Sequence, residues 1–90
     1  MIKSFKHKGL RELYEDGATK KIRPDHLGKC VRILQALDIA KQPQDLNITG
    51  FAFHGLQGMP PRYAVKVNKN YRVTFGWDDG AEAVDYEDYH

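Results

Sequence analysis

Apolar and polar positions change period along the chain, and the changes outline its elements. Ile2 to Phe5 alternates in the manner of a short strand. Leu10, Leu13 and Tyr14 then recur at helical spacing, and Gly17 offers a stop, so a short first helix is expected. The polar run Lys20 to Arg23 leads to Pro24, whose missing N–H costs nothing at a first helical position. A second helix is therefore predicted from about Pro24 to Ala40. Its apolar stripe is Leu27, Cys30, Val31, Leu34 and Leu37, with Lys29, Arg32 and Gln35 facing elsewhere. Pro43 ends it, and 44–50 carries no pattern.

From Phe51 onward the period is two. Phe51 and Phe53 alternate before Gly55, Gly58 and the Pro60-Pro61 pair interrupt the run, since proline cannot donate to a sheet ladder. Tyr63, Val65 and Val67 form one face of the next strand, with Ala64 and Lys66 on the other. Asn68-Lys69-Asn70 is a turn signal; Tyr71, Val73, Phe75 and Trp77 resume the alternation, with Arg72 and Thr74 opposite. Asp78-Asp79-Gly80 is a second turn, and a last strand follows from about Ala81 to Glu87. The order strand, helix, helix, then an antiparallel meander of three to four strands predicts an α+β fold, with the helices on one face of a curved sheet.

Composition narrows this picture. Ninety residues make one domain, 1–90, with a modest core and no room for a deep cofactor cavity. No run approaches the ~20 apolar residues that cross a bilayer, and the N-terminus lacks the apolar stretch of a signal peptide, so a cytoplasmic protein without membrane association is expected. The lone Cys30 cannot form an internal disulfide. Residues 1–45 hold ten Lys or Arg against six Asp or Glu, whereas 46–90 hold four against six. Lys3, Lys6, Lys8 and Arg11 open a basic first third suited either to a polyanion or simply to solvent.

Several chemistries lack their residues. No two histidines have the spacing that places imidazoles on one helical face, and there is no calcium-loop pattern or phosphate-binding glycine loop, so neither metal nor cofactor is expected. Ser4 lies in a predicted strand and Cys30 on a buried stripe, poor settings for nucleophiles. Of four histidines, His7 and His26 fall at helix beginnings among lysines, where a solvated structural role is expected. His54 falls at a strand end beside Gly55, and His90 is the last residue. Arg72 projects from the face opposite Val73 and Phe75, placed either for a phosphate or for a salt bridge to Asp85 or Glu87. Two histidines and an arginine have the means to cleave RNA by acid–base catalysis, the 2′-hydroxyl being the nucleophile.

The opening Met1-Ile2-Lys3-Ser4-Phe5-Lys6-His7-Lys8-Gly9-Leu10, the segment His54-Gly55-Leu56-Gln57-Gly58, the strand Tyr71-Arg72-Val73-Thr74-Phe75 and the ending Tyr86-Glu87-Asp88-Tyr89-His90 together resemble the HigB-type toxins of the RelE/ParE superfamily. The resemblance spans essentially the whole chain. It implies a RelE-like fold and a bacterial type II toxin, an endoribonuclease that cuts mRNA in the ribosomal A site of the small subunit. It also implies a HigA-like helix-turn-helix antitoxin, through which alone the toxin would meet operator DNA. Carried over by position, the implied catalytic residues are His54, Arg72, Asp88, Tyr89 and His90. The basic first third suits ribosomal RNA, so Lys3, Lys6, Lys8 and Arg11, together with Gln57, are expected RNA contacts. Where the family commonly reads His-Pro-Leu-Lys-Gly, this chain reads His54-Gly55-Leu56-Gln57-Gly58, and Gln57 brings no charge. Two other classes share the outline: a ParE-like inhibitor of DNA gyrase without nuclease activity, and a protein-interaction module whose acidic end docks a basic partner.

Overall fold

The computed structural model describes residues 1–89; His90 lies outside the described residues. Helix α1 spans Lys8–Asp16 and α2 spans Leu27–Ile39. Four strands follow: β1 (His54–Leu56), β2 (Arg62–Lys66), β3 (Tyr71–Trp77) and β4 (Ala81–Asp88). They form one antiparallel sheet in the order β1-β2-β3-β4, the meander and α+β class that the alternation predicts. The core lies between the helices and one sheet face, where Leu10, Ile33, Leu37, Val65, Val73, Phe75 and Val84 are fully shielded from solvent. Among the described residues, no helix is long and apolar enough to cross a membrane.

Four expectations are corrected. The strand expected at Ile2 to Phe5 is an extended segment lying parallel to the outer edge of β4, joined by two separate bridges, Ile2 to Ala81 and Phe5 to Val84. A bulge explains the gap: Ala83 takes φ 48°, and its N–H turns to the Ser4 hydroxyl at 2.8 Å. The second helix does not begin at Pro24, because Pro24–His26 is a 3-10 turn ahead of α2. Its buried stripe contains Ile33, with Cys30, Leu34 and Leu37, whereas Val31 is 36% exposed. Ile33→Ala should therefore lower unfolding free energy by about 2–5 kcal/mol, and Val31→Ala by under about 1 kcal/mol, in urea titrations. The fourth correction concerns Phe51 and Phe53, which precede the strand instead of forming it. Ala52, at φ 47°, breaks the extended run, so the ladder starts at His54.

Local chemistry sets the helix ends. His7 caps α1, its Nδ1 accepting the Leu10 N–H at 3.3 Å. Burial holds the His7 pKa below its usual value against the opposing pull of Asp85, which favours the neutral ring that this bond requires. Gly17 closes the helix in the left-handed region at φ 79°, donating to the Leu13 carbonyl. Cys30, enclosed in the core, has its thiol pushed up to about 11, so it stays protonated at neutral pH.

Candidate active site

The sheet face turned away from the core carries the polar residues. Cross-strand register puts His54, Ala64, Thr74 and Asp85 in one row, and Lys66, Arg72 and Glu87 in the next. Directly paired residues of antiparallel strands share a face, so His54 and Arg72 share this one. They stand two strands and two residues apart, which sets their Cα atoms about 12 Å from each other by strand spacing and rise. That gap accommodates a phosphodiester reached by one side chain from each end.

His54 is exposed at the sheet edge, and its ring is oriented by one bond: Nδ1 lies 3.0 Å from the Ala52 carbonyl oxygen. A carbonyl can only accept, so Nδ1 carries a proton, and in the neutral ring Nε2 is the nitrogen that keeps a lone pair. The left-handed Ala52 that ends the extended run thus also turns its carbonyl toward this ring. A non-glycine residue in that region costs roughly 1–3 kcal/mol and persists where its surroundings enforce it.

Arg72 is half-buried and fixed on one side. Its Nη1 donates to the Asn68 carbonyl at 2.7 Å and to its neighbour Tyr71 at 3.0 Å, and the guanidinium lies over the Tyr89 ring at 5.7 Å. Glu87 is its partner in register, yet the Glu87 carboxylate takes the hydroxyl of Thr74. Among the described residues no ion pair forms at Arg72, and Asp85 accepts instead from the N–H of Tyr86 at 2.9 Å. The hydrogen bonds described for the guanidinium all run through Nη1, and Nε with Nη2 is the donor pair that suits a bidentate anion contact.

The C-terminal segment is tied to this arginine. Tyr89 N–H donates to the Asn70 carbonyl at 2.6 Å, which brings the phenol beside Arg72. Burial raises the Tyr89 pKa, assisted by Glu87 and opposed by Arg72 and Arg62, so the group is an O–H donor at neutral pH. Asp88 pairs in register with Tyr71, next to Glu87, which faces Arg72. The expected role of His90 falls on a residue outside the described part of the chain.

The proposed RNA contacts divide between two edges. The segment bearing Lys3 and Lys6 runs along β4, the edge opposite β1 and His54, with Lys8 and Arg11 just beyond it at the start of α1. Lys6, Lys8 and Arg11 are exposed. Lys3 is engaged by the Asp78 carbonyl at 2.6 Å and the Asp78 carboxylate at 3.4 Å, at the far end of β3 from Arg72. Gln57 is exposed in the loop after β1, on the His54 side.

Sequence reading missed three residues of this face. Lys66 is the direct partner of Arg72 across β2 and β3, which places two cations side by side where Gln57 brings none. Arg62 spans the sheet, its Nη2 donating to Thr74 Oγ1 at 3.2 Å and to the Ala83 carbonyl at 3.0 Å. Thr74, fully buried, relays that contact to Glu87. The alternation of Arg62, Ala64 and Lys66 put two cations on one strand face, but their partners depended on a register that the sequence leaves open. One further correction belongs here: His26, expected in solvent, is only 3% exposed and packs edge-on against Tyr71 and Tyr86.

Comparison with known proteins identifies the family. Residues 3–90 match the family model described as the RelE-like toxin of the type II toxin–antitoxin system HigB. The chain is 40% identical over 92 residues to "Endoribonuclease HigB" of Proteus vulgaris, with all of both chains covered. It is 36% identical over 93 residues to "Toxin HigB-1" of Vibrio cholerae serotype O1, covering all of this chain and 98% of that one. Matched over nearly its whole length by that family and by two of its full-length members, the chain belongs to the HigB-like, RelE-like toxins of type II toxin–antitoxin systems.

Proposed function

We propose that this toxin is an endoribonuclease that cleaves mRNA on the ribosome, using the polar sheet face between His54 and Arg72. The observation that carries this reading is that His54 and Arg72 share one face, each held by a hydrogen bond to a backbone carbonyl. The Proteus vulgaris relative bears the name of an endoribonuclease, which supports the same activity here. In the proposed reaction, Nε2 of His54 takes the proton of the 2′-hydroxyl as O2′ attacks the adjacent phosphorus. Arg72 stabilises the charge that builds on the non-bridging oxygens, and His90 gives a proton to the departing 5′-oxygen. The products are a 2′,3′-cyclic phosphate and a 5′-hydroxyl, so atoms and charge balance with no co-reactant. Tyr89 stacks on a base beside the scissile phosphate and Asp88 orients the terminal histidine.

A toxin of a type II system pairs with an antitoxin; we assign this one a HigA-like helix-turn-helix partner, through which it meets operator DNA. The site is cytoplasmic, in the A site of the small subunit, whose RNA phosphates are matched by Lys6, Lys8 and Arg11, with Gln57 as an uncharged contact. An open sheet face leaves the codon for the ribosome to present and the walls for the ribosome to supply. Primer extension on a translated message tests this reading: new ends should appear within the reading frame upon induction and disappear when translation initiation is blocked. Unbroken message together with inhibited gyrase supercoiling would instead identify the ParE-like inhibitor.

A further inference from the structure

A part-buried chain of hydrogen bonds leads from the helix side of the sheet to Arg72. Asn68 lies in the turn between β2 and β3, and its Oδ1 accepts two backbone N–H groups, from Asn70 at 2.9 Å and Tyr71 at 2.8 Å. This is the side-chain turn that asparagine forms readily. With Oδ1 so engaged, the amide NH₂ points the other way, and Nδ2 meets Nε2 of His26 at 3.0 Å. An amide nitrogen only donates, so Nε2 of His26 is the acceptor and its proton sits on Nδ1. That proton goes to the Tyr86 hydroxyl at 2.6 Å. The His26 ring is further enclosed by the Tyr71 and Tyr86 rings, centroids 4.9 and 6.0 Å away.

The other end of the chain is the candidate site itself. The backbone carbonyl of Asn68, set by this turn, accepts from Nη1 of Arg72 at 2.7 Å. We propose that His26 and Asn68 are positioning residues for the reaction: together they fix the turn that holds the Arg72 guanidinium toward the scissile phosphate. The inference rests on the assignment of Arg72 to the site. In this role neither residue needs to touch RNA. Both act by restricting a long side chain that is otherwise free to point away, and a displacement of about 1 Å at a reacting centre is enough to cost on the order of 10²-fold in rate.

The test joins a rate to a direct view of the arginine. His26→Leu removes both ring hydrogen bonds, whereas His26→Gln keeps an acceptor for Asn68 and a donor for Tyr86. Asn68→Ser keeps a hydroxyl that can close the turn but has no arm to reach His26. Single-turnover cleavage on programmed ribosomes should fall about tenfold in His26→Leu and in Asn68→Ser, and stay within about threefold of the parent in His26→Gln, with KM little changed. In NMR spectra of the purified toxin, the Arg72 Nε–H group should gain fast motion in the first two variants and keep its parent order in the third. Should His26→Leu fail to fold, Asn68→Ser against His26→Gln carries the comparison. Lost cleavage with an unchanged Arg72 signal, or a loosened Arg72 with unchanged cleavage in a toxin that needs Arg72, would overturn the proposal. If Arg72→Ala itself cleaves at the parent rate, the active-site reading fails and the inference with it, and the NMR comparison still shows whether His26 orders the arginine.

Discussion

Arg72→Ala should lower cleavage of ribosome-bound message by about 10²–10³-fold, the loss typical when one preorganised donor to a developing oxyanion is removed. In the proposed reaction the attacked phosphate gains negative charge, and Arg72 is the cation proposed to meet it, its Nη1 held by two carbonyls. The loss should appear in kcat, since the charge it meets develops during the reaction. Arg72→Lys should recover only part of it, because an ammonium is a point charge that cannot make the bidentate contact. Folding should be affected little: the two carbonyls released lie at the turn, where water can replace the guanidinium. Single-turnover rates alongside thermal unfolding curves of the same preparations check both halves of this expectation.

His54→Ala should cost about 10²–10⁴-fold in kcat, the range for a general base, with almost no change in stability. The ring is exposed, and its one hydrogen bond among the described residues is to the Ala52 carbonyl. Removing it therefore takes little from the fold and takes the only described imidazole on the polar face. His26→Leu gives the contrast, because that imidazole is buried on the other face. The two histidines have opposite expectations: one is costly for rate and neutral for stability, the other costly for stability and about tenfold for rate. Denaturant midpoints and cleavage rates of the two variants, measured side by side, separate them.

How far the sequence carried can be judged at particular residues. The meander was legible because Tyr63 to Val67 and Tyr71 to Trp77 alternate cleanly between turn signals, and period-two alternation is a property of consecutive residues. The first helix was legible through Leu10, Leu13 and Gly17 for the same reason. What escaped depends on contacts between distant residues. Ala83 and Ala52 give no sign in sequence that they take left-handed backbone, yet one breaks the bridge between the N-terminal segment and β4 and the other delays β1 until His54. His26 looked solvated among charged neighbours; tyrosines 45 and 60 residues further along enclose it. His54 and Arg72 were placed by resemblance, and their common face follows only from the β1-β2-β3 register. Lys66 was visible as a residue facing away from Val65, but its position beside Arg72 needed that same register.

The proposed reaction makes the substrate's own 2′-hydroxyl the nucleophile, activated on this face. It is tested most directly with a ribosome-bound message carrying a single 2′-deoxy nucleotide at the cleaved position. Cleavage there should fall below detection while neighbouring ribonucleotide sites remain susceptible, and the fragments from unmodified message should end in a 2′,3′-cyclic phosphate. Cleavage of the deoxy-substituted message at the parent rate, leaving a free 3′-hydroxyl, would contradict the account.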